Sequence, residues 1–298
     1  MKFFERCSLM GLWDVLEKKE IELNKRYAKT ENWTPADFGA TRFDDDLIMK
    51  VKAFQARYSL QQDGIVGPST YRRLMTEKEA IHTTANKFIV CNGKPIEIEW
   101  HKVKLWTDSD GFAAPEGSYK KSTRTNIQMF VVHFDVCLSS KSCFSVLKQR
   151  NLSVPFLIDN DGTIYQTLDT QHIAWHAAGV NEKSVGVEIS NAFYTKYQPT
   201  YEKLGFGPRP VISDSVVHKH KVETHLGFYP IQNEALKALI KALNKGLGIP
   251  LQTPAINGVV PEVVSGKYSG VIHHYHVTAN KIDSAGCDLV KLIEEIKQ

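Results

Sequence analysis

Eleven histidines are spread unevenly along the 298-residue chain. His133 closes Met-Phe-Val-Val-His, an apolar, β-branched run of strand length, and a strand end opening onto a sheet edge is where sites are commonly built. A second group, His273, His274 and His276, closes Gly-Val-Ile-His-His-Tyr-His and is followed by Lys281 and Asp283. Successive strand residues point to opposite faces, so His273 and His274 cannot both face one site. Imidazole and carboxylate are good ligands for zinc, and a catalytic zinc takes three protein ligands and leaves its fourth position to water. His133, His274 and Asp283 meet that requirement, although a lone His near a strand end is more often an ordinary core or surface residue.

The five cysteines, Cys7, Cys91, Cys137, Cys143 and Cys287, contain no C-x-x-C pair, which excludes a zinc ribbon and a thioredoxin-type site. Cys137 and Cys143 are the close pair, and the count alone favours free thiols. With 37 Lys+Arg against 33 Asp+Glu, the formal charge of +4 does not mark a nucleic-acid binder, though it suits a polyanionic polymer. No stretch approaches the roughly 20 apolar residues of a membrane span, so no membrane insertion is expected. Lys2, Glu5, Arg6, Asp14, Glu17, Lys18, Lys19 and Glu20 leave no apolar core for a signal peptide, which predicts synthesis in the cytoplasm and release by another route.

The elements that must hold these residues fall into two groups, divided near residue 80. Asp44, Asp45 and Asp46 precede Leu47, Val51, Phe54 and Tyr58 at helical spacing, and Asp63-Gly64 and Gly67-Pro68 supply turns. Ser69 can cap a last helix through Tyr71 and Leu74, so a small three-helix module ends near Met75, followed by an irregular stretch around 78–87. Beyond it, Asn92-Gly93 marks a hairpin between Phe88–Val90 and Ile96–Trp100. The runs 129–134, 154–158, 163–168, 185–190 and 271–275 read as strands, with Asp161-Gly162 as a second hairpin turn. Leu236, Leu239, Ile240 and Leu243 form a helical stripe stopped by Gly246 and Pro250, and Leu289, Leu292, Ile293 and Ile296 form another after Asp288. The fold class is therefore α/β: a mixed β-sheet flanked by helices over 81–298, plus a small all-α module over 1–80. The aromatic-rich run 192–229 reads as a long loop, either a surface insertion or part of a groove wall.

Two stretches resemble known families. Val51 to Leu74, with a Phe-Gln pair leading into Asp-Gly-Ile-Val-Gly-Pro, looks like a peptidoglycan-binding module, while the segment through Trp13 and Leu16 matches it poorly. Farther on, VVHFD, DNDGTIYQTLD, AWHAAGVN, KSVGVEISN and HYHVTANKID follow in order. This series resembles the zinc-dependent N-acetylmuramoyl-L-alanine amidases of the second amidase type, relatives of phage T7 lysozyme and of peptidoglycan recognition proteins. The resemblance implies zinc at His133, His274 and Asp283, with His273 as the competing choice for the second ligand. It implies Glu188 as the general base, Lys281 as the group that stabilises the oxyanion, and Trp175 and His176 at the substrate groove. A Glu on the inward side of an otherwise apolar strand favours a role for Glu188; its plainer reading is a surface carboxylate.

The same resemblance implies a disulfide between Cys137 and Cys143, so both thiol states stay open. Ser153-Val154-Pro155-Phe156 departs from the S-x-H-Y/F of many relatives, which leaves Glu188 as the obvious base, and AWHAAG carries an additional or substituted Ala. The expected activity is hydrolysis of the amide between N-acetylmuramic acid and L-alanine in peptidoglycan by a monomeric, endolysin-like enzyme. The alternatives are a non-catalytic wall-binding protein of the same fold and a regulator that binds a polymerase.

Overall fold

The computed structural model describes residues 10–82 and 87–298, with side chains from 19 to 76 and from 87 onward. Two compact units are present: one from the first helix through Glu79, taking in Thr200–Pro208, and one of Ala80–Pro199 with Arg209–Gln298. The segment around Trp13 and Leu16 lies outside the described side chains.

In the first unit, α1 (Met10–Glu31), α2 (Asp45–Arg57) and α3 (Pro68–His82) surround a core of Trp33, Leu47, Val51, Phe54, Val66 and Leu74. Asp44 caps α2 by accepting from the Leu47 N–H, and Asp45 and Asp46 place negative charge at its positive end. The Phe-Gln motif has a structural cause. Buried Gln55 donates through Nε2 to Asp63, the Ile65 carbonyl and Thr70, and accepts from the Gly64 N–H, while Asn24 bonds Gly64 and Val66 from α1. Gly64 sits at φ 74, and a Cβ there would lie 2.7 Å from Ile48. Of the expected core residues Phe54, Leu60 and Val66 are buried, whereas Ile65 is half-buried. The last helix begins at Pro68, so Ser69 is inside it, and it runs past Met75 to His82 where an irregular stretch was expected. Nothing in its sequence breaks a helix before His82.

The second unit opens with the hairpin β1 (Phe88–Cys91) and β2 (Lys94–Glu97), whose turn residues Asn92 and Gly93 both have positive φ. Then follow β3 (Val103–Leu105), β4 (Tyr119–Lys120), β5 (Met129–Phe134), α4 (Ser140–Gln149), β6 (Phe156–Ile158), β7 (Ile164–Gln166), β8 (Ile173–Ala174) and β9 (Ser184–Ile189). The run after β9 holds α5 (Gln198–Lys203), which from Thr200 onward belongs to the first unit, and then β10 (Val211–Ile212), β11 (Val216–Val217), β12 (His220–Lys221) and β13 (His225–Leu226). It is therefore not the plain loop expected: β10 pairs β13, β11 pairs β12, and Tyr201 and Phe228 are buried. The chain ends with α6 (Pro230–Leu247), α7 (Pro261–Val264), β14 (Gly270–His273) and α8 (Leu289–Lys297).

The central sheet has the order β14-β5-β9-β6-β7-β3, parallel except for the β6–β7 hairpin. Alternation sorts its side chains. Phe130, Val132, Val185, Val187 and Val271 pack with Leu236, Leu239, Leu243, Leu289 and Leu292 of α6 and α8. Met129, Val131 and Ile272 face the other way, onto Ala177, Val180 and Val263. His133 and Glu188 belong by parity to this second face. Two expected boundaries shift. Gly246 lies inside α6, where a Cβ would come 2.8 Å from Ile96 and 3.2 Å from Cys91, so its role is close packing on the hairpin; the helix stops at left-handed Gly248. The last strand ends at His273 rather than Tyr275, because the Tyr275 N–H turns to the Asp283 carbonyl and His274–His276 form a single 3₁₀ turn.

Candidate active site

Three neighbouring parallel strands deliver the chemistry at their C-terminal ends, the place where sheets of this kind bind ligands. His133 is the penultimate residue of β5 and Glu188 that of β9, and the parallel register sets them side by side. His274 follows the last residue of β14, and Asp283 lies between that turn and α8. Glu188, Lys281, Trp175, His176, His133, His274 and Asp283 all line one cavity of about 300 Å³. Asp135, Arg150 and Leu152 line it as well.

His133 Nδ1 and His274 Nδ1 each lie 2.9 Å from the same oxygen, Asp283 Oδ2, and the three residues are almost fully buried. This is the one such cluster among the described residues, with its donor atoms within 4.8 Å of one another. Ligands on a tetrahedral zinc with bonds of 2.0–2.2 Å sit about 3.3 Å apart, so the donor set fits the ion with small adjustments. Burial opposes the charged form of Asp283, but the two imidazoles against it, His133 and His274, outweigh that and hold its carboxyl well below the usual range. Burial lowers the His133 pKa to about 4, which keeps the ring neutral, as a metal ligand must be. His273 faces the other way: its Nδ1 bonds Ser284 Oγ at 2.8 Å and its ring stacks on Tyr275. That side holds a larger cavity, about 460 Å³, lined by His273, Tyr275 and Cys287, where the described residues form no cluster like the one at Asp283.

Glu188 Oε2 is buried and has no hydrogen-bond partner. Burial, with Asp283 and Asp135 nearby, raises its pKa well above the ordinary value. Asp135 is the other carboxylate that sequence reasoning missed, although it stands two residues after His133 in VVHFD. Its Oδ1 accepts from the Cys137 and Asn191 N–H groups and its Oδ2 from the Ser190 hydroxyl, so its acceptor capacity is engaged. Burial raises it to about 7. Arg150 and Leu152 gave no signal in the sequence. Lys281 is exposed at the cavity, and its carbonyl accepts from His218. Ser153 takes the Trp175 N–H and donates to the Ser118 carbonyl, while Val154 is buried beside Leu157, so the Ser-Val-Pro-Phe departure contributes packing. Cys137 and Cys143 are free thiols. None of the cavity lining comes from 192–229.

Residues 123–286, more than half of the chain, match the family described as N-acetylmuramoyl-L-alanine amidase. The chain belongs to that family. The amidase also carries a match to a putative peptidoglycan binding domain over residues 21–74, which makes it a modular enzyme. No curated protein matches this chain. Among solved structures, it is similar to an endolysin N-acetylmuramoyl-L-alanine amidase from Clostridium intestinale, at 17% identity and TM-score 0.37, over 66% of this chain and 95% of that one. AmpDh3 from Pseudomonas aeruginosa, in complex with anhydromuramic pentapeptide, is 17% identical with TM-score 0.38, over 64% and 65% of the two chains. The Ph2119 endolysin of a Thermus scotoductus bacteriophage is 15% identical with TM-score 0.38, over 65% and 98%. The amidase is a peptidoglycan hydrolase that cleaves the amide between N-acetylmuramic acid and L-alanine. No described helix is long and apolar enough to cross a membrane.

Proposed function

We propose that the amidase works with one zinc ion held by His133, His274 and Asp283, and that Glu188 is its general base. The observation that carries this reading is the convergence of those donor atoms within 4.8 Å in a cavity that also presents the unpartnered Glu188 Oε2. Zinc at this position supplies Lewis acidity that polarises the scissile carbonyl and acidifies a water. Glu188 takes the proton of the attacking water and passes it to the leaving amine of L-alanine, a transfer helped by a pKa already raised by burial. The Lys281 ammonium faces the oxyanion that develops on the carbonyl. Trp175 and His176 border the muramoyl-peptide. Residues 1–80 serve as the peptidoglycan anchor and 81–298 as the catalytic domain, in a monomer.

Elemental analysis of the purified protein tests the metal directly, with about one zinc per chain expected. His274→Ala should lose metal and activity, because its Nδ1 is one of the converging donors. His273→Ala should keep both, because that ring bonds Ser284 instead. The reverse pattern would move the ligand by one residue. Zinc-free wild-type protein with full activity would remove the reading altogether.

A further inference from the structure

The contact that His176 makes does not suit a residue that merely borders a groove. Its Nδ1 lies 3.1 Å from His133 Nε2, the nitrogen turned away from Asp283, with the two rings at 87°. On its other side His176 Nε2 stands 3.4 Å from Ser184 Oγ, and that hydroxyl donates to the Val180 carbonyl at 2.9 Å. A carbonyl only accepts, so the direction of the whole chain follows. Ser184 spends its hydrogen on Val180 and offers an oxygen lone pair to His176. His176 therefore carries its proton on Nε2 and presents a lone pair at Nδ1. His133 then donates from Nε2, and its own lone pair is at Nδ1, toward Asp283 Oδ2. Two acceptors left facing one another at 2.9 Å are reconciled by a cation between them.

We infer that His176 is a positioning residue, which fixes the tautomer and ring orientation of His133 for metal binding. The inference rests on the zinc reading above. The fold is shaped around this ring. A Cβ at Gly186, the residue of β9 beneath it, would lie 2.5 Å from His176 Nδ1 and 2.7 Å from Cε1, so only glycine lets the imidazole reach His133. Asn181 Oδ1 accepts from the backbone N–H groups of both His176 and Ala177. The Arg124 guanidinium ties together the carbonyls of Thr170, His172, Asn181 and Ser184, the segment on which His176 rides.

The test is zinc affinity of the full chain, measured by competition with a chromogenic chelator, alongside kcat and KM on a soluble muropeptide. Outer partners of ligating histidines typically contribute 10- to 100-fold in metal affinity, and a loss in that range is expected for His176→Leu. His176→Asn should bind close to wild type, because the Asn Oδ1 takes the place of Nδ1 and accepts the same proton. Gly186→Ala, which displaces the ring without altering any donor, should weaken zinc in the same direction as His176→Leu. The inference is overturned if His176→Leu binds zinc like wild type and only raises KM, the behaviour of a groove residue, or if His176→Asn is as weak as His176→Leu. Wild-type protein without zinc affinity would instead sink the metal reading on which this rests.

Discussion

Replacing Glu188 by Gln exchanges a titratable carboxyl in the cavity wall for a neutral amide of the same length, and it moves stability and activity in opposite directions. The folded-state pKa of Glu188 is raised above the ordinary value of 4.5, chiefly by burial. Between 4.5 and the raised value, the folded chain holds a proton that the unfolded chain has released. The contribution of Glu188 to stability is thus fully present below about pH 4.5 and is lost as pH rises through the folded-state pKa. Gln does not titrate and escapes that loss. The linkage loss that Gln escapes is about 1.4 kcal/mol for each pH unit above 4.5 up to the raised value, and the unpartnered amide offsets part of it, so the net gain in the zinc-free protein is about 1–2 kcal/mol at neutral pH. For a unit of this size 1 kcal/mol corresponds to roughly 2–4 °C, which makes the expected rise in Tm roughly 2–8 °C. The gap should close as pH falls toward 4.5. Loss of a general base lowers the rate about 10²- to 10⁴-fold, while zinc content is unchanged because Glu188 is not among the converging donors. Thermal unfolding of chelator-treated proteins across pH, with mass spectrometry of peptides released from peptidoglycan, reads both effects. A variant that melts no higher than wild type at neutral pH would refute the electrostatic argument. Release of L-alanyl peptides at near the wild-type rate would refute the base assignment.

Two further predictions concern the anchor. A fragment beginning at Ala80 should cleave soluble muropeptide and bind insoluble sacculi less well than the full chain, since tethering raises local substrate concentration; equal sacculus binding would remove the anchoring role. Gln55→Leu strips the turn after α2 of an acceptor and three donor contacts, at about 1–3 kcal/mol for each buried group left unpaired. Calorimetry should show an early transition for the first unit, with sacculus binding reduced and muropeptide cleavage retained; a single unshifted transition would contradict the structural reading of the Phe-Gln motif.

Much of this architecture can be read locally. Strands β5 and β9 stand out as continuous apolar runs because strands of a parallel array are buried on both faces, and the position of His133 and Glu188 near their ends is visible at once. The turns at Asn92-Gly93 and Asp161-Gly162, the Asp44 cap and the α8 stripe after Asp288 are equally local, since φ preference and capping act over a few residues. The motif order carried the family, and with it the identities expected at the site. Other features depend on partners distant in the chain. Gly246 reads as a helix stop until Cys91 and Ile96 are seen against it, and Gly248 ends the helix instead. Which of His273 and His274 stands against Asp283 depends on where the strand stops: it ends at His273, and the turn carries His274 there. The engaged state of Asp135, the free oxygen of Glu188 and the bond from His133 to His176 were likewise set by tertiary packing. Periodicity and turn chemistry are properties of neighbours along the chain. Which lone pair meets which proton is decided by the approach of residues 43 or 150 positions apart, which no local pattern records.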